Sequence, residues 1–425
     1  MSQYLVEGGI PVKGTIRASG NKNAALPCIA AALLTDEPVI LRNIPDIEDV
    51  HVMLAAYHAL GGEVSQLSTH DYQLHTRNIT ISAIPVEYAH RIRASILFAG
   101  PLLARTGTAE LPPPGGDVIG RRRLDTHFLV LTELGAQVQI NGSFLFTASA
   151  LRGADIFLDE ASVTATENAI MAAVLASGVT TLSNAASEPH VQDLCRMLNS
   201  MGANIQGIGS NILTITGAAK LSGCDCTIGA DFMEVGSLIG LAAITRGELS
   251  IEGIKMQDIR PAKNAFAKLG IRWEHEGQTL FVPEHQDLSV NCDLGAMIPK
   301  IDDAPWPGFP ADLTSVITVV ATQVTGTVLI HEKMFESRMF FVDKLIAMGA
   351  RIVLCDPHRA VVSGPTRLAA SELYTPDIRA GMALVIAALC AHGKSTINNV
   401  YQIERGYENV VERLAALGAQ IKKDA

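Results

Sequence analysis

Charged residues are sparse in this chain, and those able to do chemistry fall in a few short phrases. Ser19-Gly20-Asn21-Lys22-Asn23 opens a run of small apolar residues that reads as a helix. Backbone N–H groups point outward at such a start and favour an anion. A solvated Lys beside an Asn cap is the ordinary reading, but Lys22 is also the charge that a helix dipole disfavours there, which points to function. A second phrase runs Pro112-Pro113-Pro114-Gly115-Gly116-Asp117 and continues to Arg121-Arg122-Arg123. Its prolines and glycines break helix and strand alike, so it reads as a loop longer than a scaffold needs, a lid. Asp117 is by default a solvated turn residue. The arginines are either a solvated face or a forked clamp for phosphate or carboxylate. Further phrases are Phe309-Pro310-Ala311-Asp312-Leu313, the run Glu332 to Arg338 (EKMFESR), Pro376-Asp377-Ile378-Arg379 and Ile403-Glu404-Arg405-Gly406-Tyr407. Asp231, Asp312 and Asp377 recur at one place before a helix and are expected to be N-caps, each worth roughly 1 kcal/mol. A capping role is compatible with a catalytic one. His127 reads as a helix residue or supporting group more than as a general base.

The elements that must position these residues repeat. A Leu/Met-Gly-Ala phrase, or a near relative, closes an amphipathic run at Gly61, Gly135, Gly202, Gly270, Gly349 and Gly418, with spacings of 74, 67, 68, 79 and 69 positions. Gly just past the last helical turn fits a left-handed C-cap. Upstream of each copy lies a helix of small apolar residues, then a turn and a β-rich strand, as in NAIMAAVLASGVTTLSN and GMALVIAALCAHGKSTINN. One unit therefore reads strand, helix, strand, helix, strand, strand. Helices apolar all round are buried, so the fold class is α/β: two similar domains of three units, helices inside and sheets outside. The first strand, roughly residues 3–17, is expected to complete the C-terminal half. That gives one discontinuous domain of residues 1–19 plus 231–425 and another of 20–230, with a lid at about 112–123 and a small-molecule site in the cleft between them.

Apolar residues make up 48% of the chain and charged ones 18%, with a formal net charge of −10, which argues against nucleic acid or an anionic membrane as partner. A sliding clamp also uses six α/β units, but its inner helices must be basic, and these are Ala/Gly/Leu-rich. The N-terminal residues do not read as a signal peptide, and no apolar run approaches the roughly 20 residues of a membrane span. The seven cysteines (28, 195, 224, 226, 292, 355, 390) read as reduced buried thiols. Cys224 and Cys226 lack the second pair or His cluster of a zinc site. No metal or cofactor is implied.

The chain resembles the enolpyruvyl transferases over nearly its whole length, on SGNKNAALP (19–27), RASILFAGPLLARTG (93–107), PGGDVIGRR (114–122), EPHVQDL (188–194), FPADL (309–313), MFESRM (334–339), DIRAG (377–381) and IERGYENV (403–410). These phrases are specific only in combination. NKNAA, where the shikimate branch carries a Gly-Ser-Lys-Ser-type phrase, favours the branch whose acceptor is UDP-N-acetylglucosamine. The resemblance implies an inside-out α/β barrel pair in a bacterial, cytoplasmic monomer of the first committed step of peptidoglycan synthesis. It implies two small-molecule substrates: phosphoenolpyruvate would lose phosphate as its enolpyruvyl group moves to the acceptor's 3′-hydroxyl, by addition and elimination.

By resemblance Lys22, Arg122 and Arg405 hold the phosphoenolpyruvate anion, with Asn23 beside them and Arg338 and Arg379 completing the cationic pocket. Asp312 would take the sugar hydroxyl's proton. Arg93, Arg122, Arg123, Leu124, Asp125, Thr126, Ser162, Val163, Thr164 and Met334 fall on acceptor positions, with Asp312 and Asn23 shared. Glu188 and Asp377 are supporting. The chain departs from the pattern at the lid tip, where Asp117 replaces the usual Cys, the thiol that the epoxide fosfomycin alkylates. A carboxylate can deliver the same proton to the vinyl carbon if lid closure keeps it protonated. Arg123 stands where Pro is common, Glu160 where Lys is common near the diphosphate, and Thr164 where Gly is common. These leave open a different acceptor, such as shikimate 3-phosphate or another nucleotide sugar. They also leave open a copy that lost activity with its thiol, against which the complete Lys/Arg/Asp set argues.

Overall fold

The computed structural model describes residues 2–117, 119–120 and 122–424, so Val118 and Arg121 of the lid phrase lie outside the described residues. The chain divides into two compact units. One is Met1–Ser19, Val118–Arg122 and Ala230–Ala425, here the terminal unit; the other is Gly20–Asp117 and Arg123–Gly229, the inserted unit.

In each unit three sheets follow one plan. In the inserted unit, Cys224–Thr227 pairs in parallel with Val39–Arg42, which continues antiparallel to Asp71–His75 and Glu63–Ser68. Asp155–Phe157, Val179–Ser183, Ile212–Thr216 and Asn204–Gln206 repeat that order. Thr108–Leu111, Phe144–Thr147 and Gln137–Ile140 do so with only a parallel bridge from Ala83 to Glu110 as the edge. In the terminal unit, Lys300–Asp302 is the parallel edge of Gly326–His331, Arg359–Gly364 and Arg351–Asp356.

The N-terminal segment is two strands, not the single strand expected, and they enter two different sheets. Lys13–Arg17 is the parallel edge beside Glu248–Glu252, while Gln3–Glu7 lies antiparallel between Lys394–Asn398 and Gln420–Asp424. Gly9, at φ +84°, and Pro11, which lacks an amide donor, interrupt the ladder.

Inside the terminal unit, helices Phe232–Thr245, Thr314–Ala321 and Ile378–Cys390 pack on one another, and every residue of the first two is buried. A Cβ on Gly240 would sit 3.0 Å from the side chains of Val316 and Val320, so its absence sets how closely these helices approach. Lys22–Ala31, Ala99–Thr106 and Val163–Ala173 occupy the same place in the inserted unit. Burying each Leu, Ile or Val here contributes about 1.5–3 kcal/mol. Among the described residues no helix is long and apolar enough to cross a membrane. The cysteines correct the sequence reading: only Cys28 and Cys195 are buried, whereas Cys292 and Cys355 are exposed.

The six repeat glycines all have positive φ, from +77° to +105°. After each, the next amide donates to a carbonyl five residues back: 62 to 57, 136 to 131, 203 to 198, 271 to 266, 350 to 345 and 419 to 414. This is the Schellman closure, used six times. A Cβ placed on Gly202 would meet nothing within 4 Å, whereas one on Gly270 would strike the Asp287 carbonyl. Gly202→Ala should therefore cost about 1 kcal/mol from backbone strain alone and Gly270→Ala more, measured by denaturant unfolding. Equal losses would show that the clash is relieved at no cost.

Candidate active site

The terminal unit gathers its charges around one carboxylate. Asp312 sits in the short 3₁₀ turn Ala311–Leu313 that runs into Thr314–Ala321, and it does not cap that helix. This corrects the expectation drawn from the repeat: Asp231 and Asp377 are caps, but the helix here starts earlier, behind Pro310. Asp312 accepts from Arg338 Nη2 through Oδ1 at 2.8 Å and from Arg379 Nε through Oδ2 at 2.9 Å. Arg338 and Arg379 are only 4% and 6% exposed. Burial opposes their charge, but the carboxylates around Arg338, and Tyr407 with Asp312 and Asp231 around Arg379, more than offset it, so both pKa values are raised.

Neighbouring elements fix these guanidiniums. Asp377 accepts from the amides of Arg379 and Ala380 at 2.9 and 3.0 Å, holding the helix start that carries Arg379. Arg379 lies 5.2 Å from the Tyr407 ring centre and Arg338 5.0 Å from that of Phe335, both within cation–π range. Nη1 of Arg379 and Nε of Arg338 are nevertheless buried without a hydrogen-bond partner. A buried donor left so costs about 1–3 kcal/mol unless an acceptor reaches it, which suits an anion-binding surface. Arg405 is buried and donates to Gln402 Oε1 at 2.9 Å. Met334 is 39% exposed. Arg122, half-buried, belongs to the terminal unit, where the Ile119 carbonyl accepts from the Ser337 amide at 3.2 Å.

The inserted unit holds its own cluster. Asn21 is the cap of Lys22–Ala31, accepting from the amides of Asn23 and Ala24 at 2.8 and 3.2 Å, which places Lys22 and half-buried Asn23 in the first turn. The Lys22 ammonium is buried and lies 2.6 Å from Asp49 Oδ2. Around the start of Asp125–Glu133, Arg93 Nη2 donates to the Arg123 carbonyl at 3.0 Å and Arg123 Nε to Asp125 at 2.7 Å. Leu124 precedes that helix, and Thr126 donates to Asp159 at 2.7 Å. Ser162 caps the helix that Val163 and Thr164 open. Asp117 is half-buried; Glu160 is exposed.

His127 is a supporting residue. Asn168 Nδ2 donates to its Nδ1 at 3.0 Å, so the Nε2 hydrogen faces Thr164 Oγ1 at 3.0 Å. Burial, then the nearby Arg93 charge, pushes its pKa down to about 3, so the ring stays neutral and braces two helices. Half-buried Glu188 precedes the helix Pro189–Ser200, and burial, then the Glu188 charge, raises the pKa of Glu167 well above the carboxylate range. Among the described residues no group of three His, Cys, Asp or Glu could hold a metal.

The structure thus joins Asp312, Arg338 and Arg379 directly, and Asp377 supports them. Sequence reasoning missed Asp49, whose sole signal is an acid on the buried face of an amphipathic helix, and also Asp159 and Asp303. Glu332 was inside a quoted phrase but given no role. It is fully buried, and burial, then the neighbouring Asp303 carboxyl, pushes its pKa up to about 8.

The family match and the similar relatives show the class of enzyme, a carboxyvinyltransferase. EPSP synthase (3-phosphoshikimate 1-carboxyvinyltransferase), as a family, matches residues 6–414, and the chain belongs to that family. It is 68% identical to the UDP-N-acetylglucosamine 1-carboxyvinyltransferase of Treponema denticola over 422 residues, covering 99% of each chain. It is 65% identical to that of Treponema pallidum over the whole of both chains, and 58% identical to that of Borreliella burgdorferi over 100% of this chain and 99% of the other. The enolpyruvyl transferase NikO from Streptomyces tendae has the same fold, with a TM-score of 0.88 at 24% identity over 99% of this chain and 98% of that one.

Removing either member of the Lys22–Asp49 pair breaks a buried ion pair, at a cost of about 3–5 kcal/mol. Lys22→Ala and Asp49→Ala should each destabilise on that scale, and the double variant by clearly less than their sum. Additive losses in chemical denaturation would show that the two charges do not depend on each other.

Proposed function

We propose that the chain transfers the enolpyruvyl group of phosphoenolpyruvate to the 3′-hydroxyl of UDP-N-acetylglucosamine and releases phosphate, the first committed step of peptidoglycan synthesis. The observation that carries the acceptor is full-length likeness, at 58–68% identity, to proteins of that activity. The chemistry it requires matches the buried cations and the one carboxylate shared by two guanidiniums.

In the addition step the 3′-oxygen bonds to C2 of phosphoenolpyruvate, Asp312 takes the hydroxyl proton and a general acid protonates C3. Asp117 is that acid in place of a thiol. In the elimination step C3 gives up a proton, the C2–O bond to phosphate breaks, and the double bond returns as phosphate leaves. Lys22, Arg122 and Arg405, with Asn23, Arg338 and Arg379, hold the phosphate and carboxylate charges; stabilising charge that develops during reaction is usually the largest catalytic contribution. Two guanidiniums and a short 3₁₀ turn fix the aim of Asp312. Arg93, Arg123, Leu124, Asp125, Thr126, Ser162, Val163, Thr164 and Met334 serve the nucleotide sugar, while Glu188 and Asp377 support the site. The enzyme works as a monomer in the bacterial cytoplasm on these two small molecules.

Phosphate release from phosphoenolpyruvate should require UDP-N-acetylglucosamine and fail with shikimate 3-phosphate. Asp312→Asn and Lys22→Ala should each lower kcat by at least about 100-fold, in the range of general base and charge-stabilising losses. Release with shikimate 3-phosphate alone would overturn the acceptor.

Fosfomycin should leave the wild-type protein unmodified, because a carboxylate replaces the thiol it alkylates. Asp117→Cys should acquire both a fosfomycin mass adduct and time-dependent inactivation. An adduct on the wild-type protein would contradict the role given to Asp117.

A further inference from the structure

Four of the six sheets end their central strand on the same kind of turn. Asn43, Asn184 and Asn399 follow it with φ between +58° and +59°, and Gly253 does so at +89°. Each of these Asn side chains donates to the carbonyl just past the parallel edge strand, that of Ile228, Leu158 or Thr375, at 2.9 Å. In the sheet centred on Gly326–His331, His331 pairs with Asp302, so the same place holds Glu332 facing Asp303. An acid here abandons the repeat's tie and puts two carboxyl groups side by side.

Those carboxyl groups bind the start of the loop that carries Arg338. Asp303 accepts from the amides of Lys333 and Met334, and Glu332 Oε1 from those of Met334 and Phe335 at 3.2 and 3.1 Å. Asp303 also bridges to Phe309, which leads to Asp312. The roots of the two loops that carry Asp312 and Arg338 are therefore stitched together at this pair. Glu332 Oε2 lies 3.9 Å from Arg338 Nε, and neither atom has a hydrogen-bond partner. Arg338 is thus held between Asp312 on one side and Glu332 on the other.

We propose that Glu332 is a positioning residue for Arg338, setting by its own charge whether that guanidinium serves Asp312 and the substrate anion or is drawn back into the protein. This rests on the enolpyruvyl transfer reading. The charged and titratable groups around it are Asp303 from the edge strand, Arg338 from its 3₁₀ turn, Lys333 next in chain with its ammonium on Asp302, and His358, whose Nδ1 meets the Glu332 carbonyl at 2.8 Å; Asp312 lies beyond Arg338. Burial favours the neutral carboxyl, which shares its proton with Asp303 and leaves Arg338 to Asp312. Ionised, it competes for the guanidinium across that 3.9 Å.

Glu332→Gln copies the neutral form and cannot ionise. In phosphate release followed from about pH 6 to about pH 9.5, the wild-type KM for phosphoenolpyruvate should rise about tenfold above about pH 8. In Glu332→Gln that rise should be absent, with the KM for the acceptor unmoved in both. Superimposable pH profiles would overturn the proposal. A folded-state pKa raised above the unfolded value lowers stability as pH climbs between the two. The unfolding midpoint of Glu332→Gln should therefore gain on wild type from about pH 4.5 to about pH 8. That readout needs no turnover, so wild-type protein inactive with UDP-N-acetylglucosamine would count against the enolpyruvyl reading alone. A pH-independent stability difference counts against Glu332.

Discussion

A cation taken out of water must be given a counter-charge, and in this fold the allocation of carboxylates decides where chemistry can occur. The repeat supplies apolar helices that cannot solvate charge, so several cations set against them are held by acids: buried Lys22 on Asp49, half-buried Arg413 on Glu234, and buried Arg338 and Arg379 both on Asp312. The last allocation is uneven. One carboxylate serves two guanidiniums, so donor atoms on both remain unsatisfied in a buried setting. Those buried donor atoms are left for an acceptor other than Asp312 to reach.

The scaffold stays regular because its irregularities are confined to places where regularity is not needed for packing. All six glycine closures and the three-helix interiors repeat faithfully. Helix starts vary instead. Asn21, Ser162, Asp231 and Asp377 commit their side chains to backbone amides, while Asp312 sits inside its turn and commits its carboxylate to Arg338 and Arg379. Moving an acid from the cap into the first turn costs a helix about 1 kcal/mol. It gains two charge-assisted hydrogen bonds to guanidiniums.

Much of this was legible in the sequence, for physical reasons. Positive-φ glycines and small-residue helices leave marks that survive without coordinates, because few other residues can do those jobs. Lys22, Arg338 and Arg379 stood out as charges where a repeat asks for none. What stayed hidden was tertiary. Nothing in FPADL says that the helix begins early enough to leave Asp312 inside the turn and not at its cap, since Asp at a helix start looks the same whether it caps or not. Asp49 looked like an ordinary acid on an amphipathic helix until Lys22 was placed on it. The split of the first strand was hidden because an extended segment through Gly8-Gly9 and Pro11 has no period by which to tell one strand from two.

The turn after each central strand ties these observations together. Where the turn only has to close the repeat, an Asn or Gly takes positive φ, and each Asn fastens to the neighbouring edge strand. Two units lack it. In one the strand Thr108–Leu111 runs straight into the three prolines that lead to Asp117; in the other Gly326–His331 runs into Glu332 and the loop to Arg338. Both departures give up a simple local closure for a longer segment that carries a charge, Asp117 in one and Arg338 in the other. A segment without its own closure must be held from elsewhere. Asp303 and Glu332 do this for the Arg338 loop by binding three successive amides. The His90 carbonyl, on which a Cβ at Gly115 would fall, keeps the segment leading to Asp117 close to its own unit. The same substitution that removes a turn residue therefore creates the need for a buried anchor, which is why Asp303 and Glu332 lie at the root of the Arg338 loop.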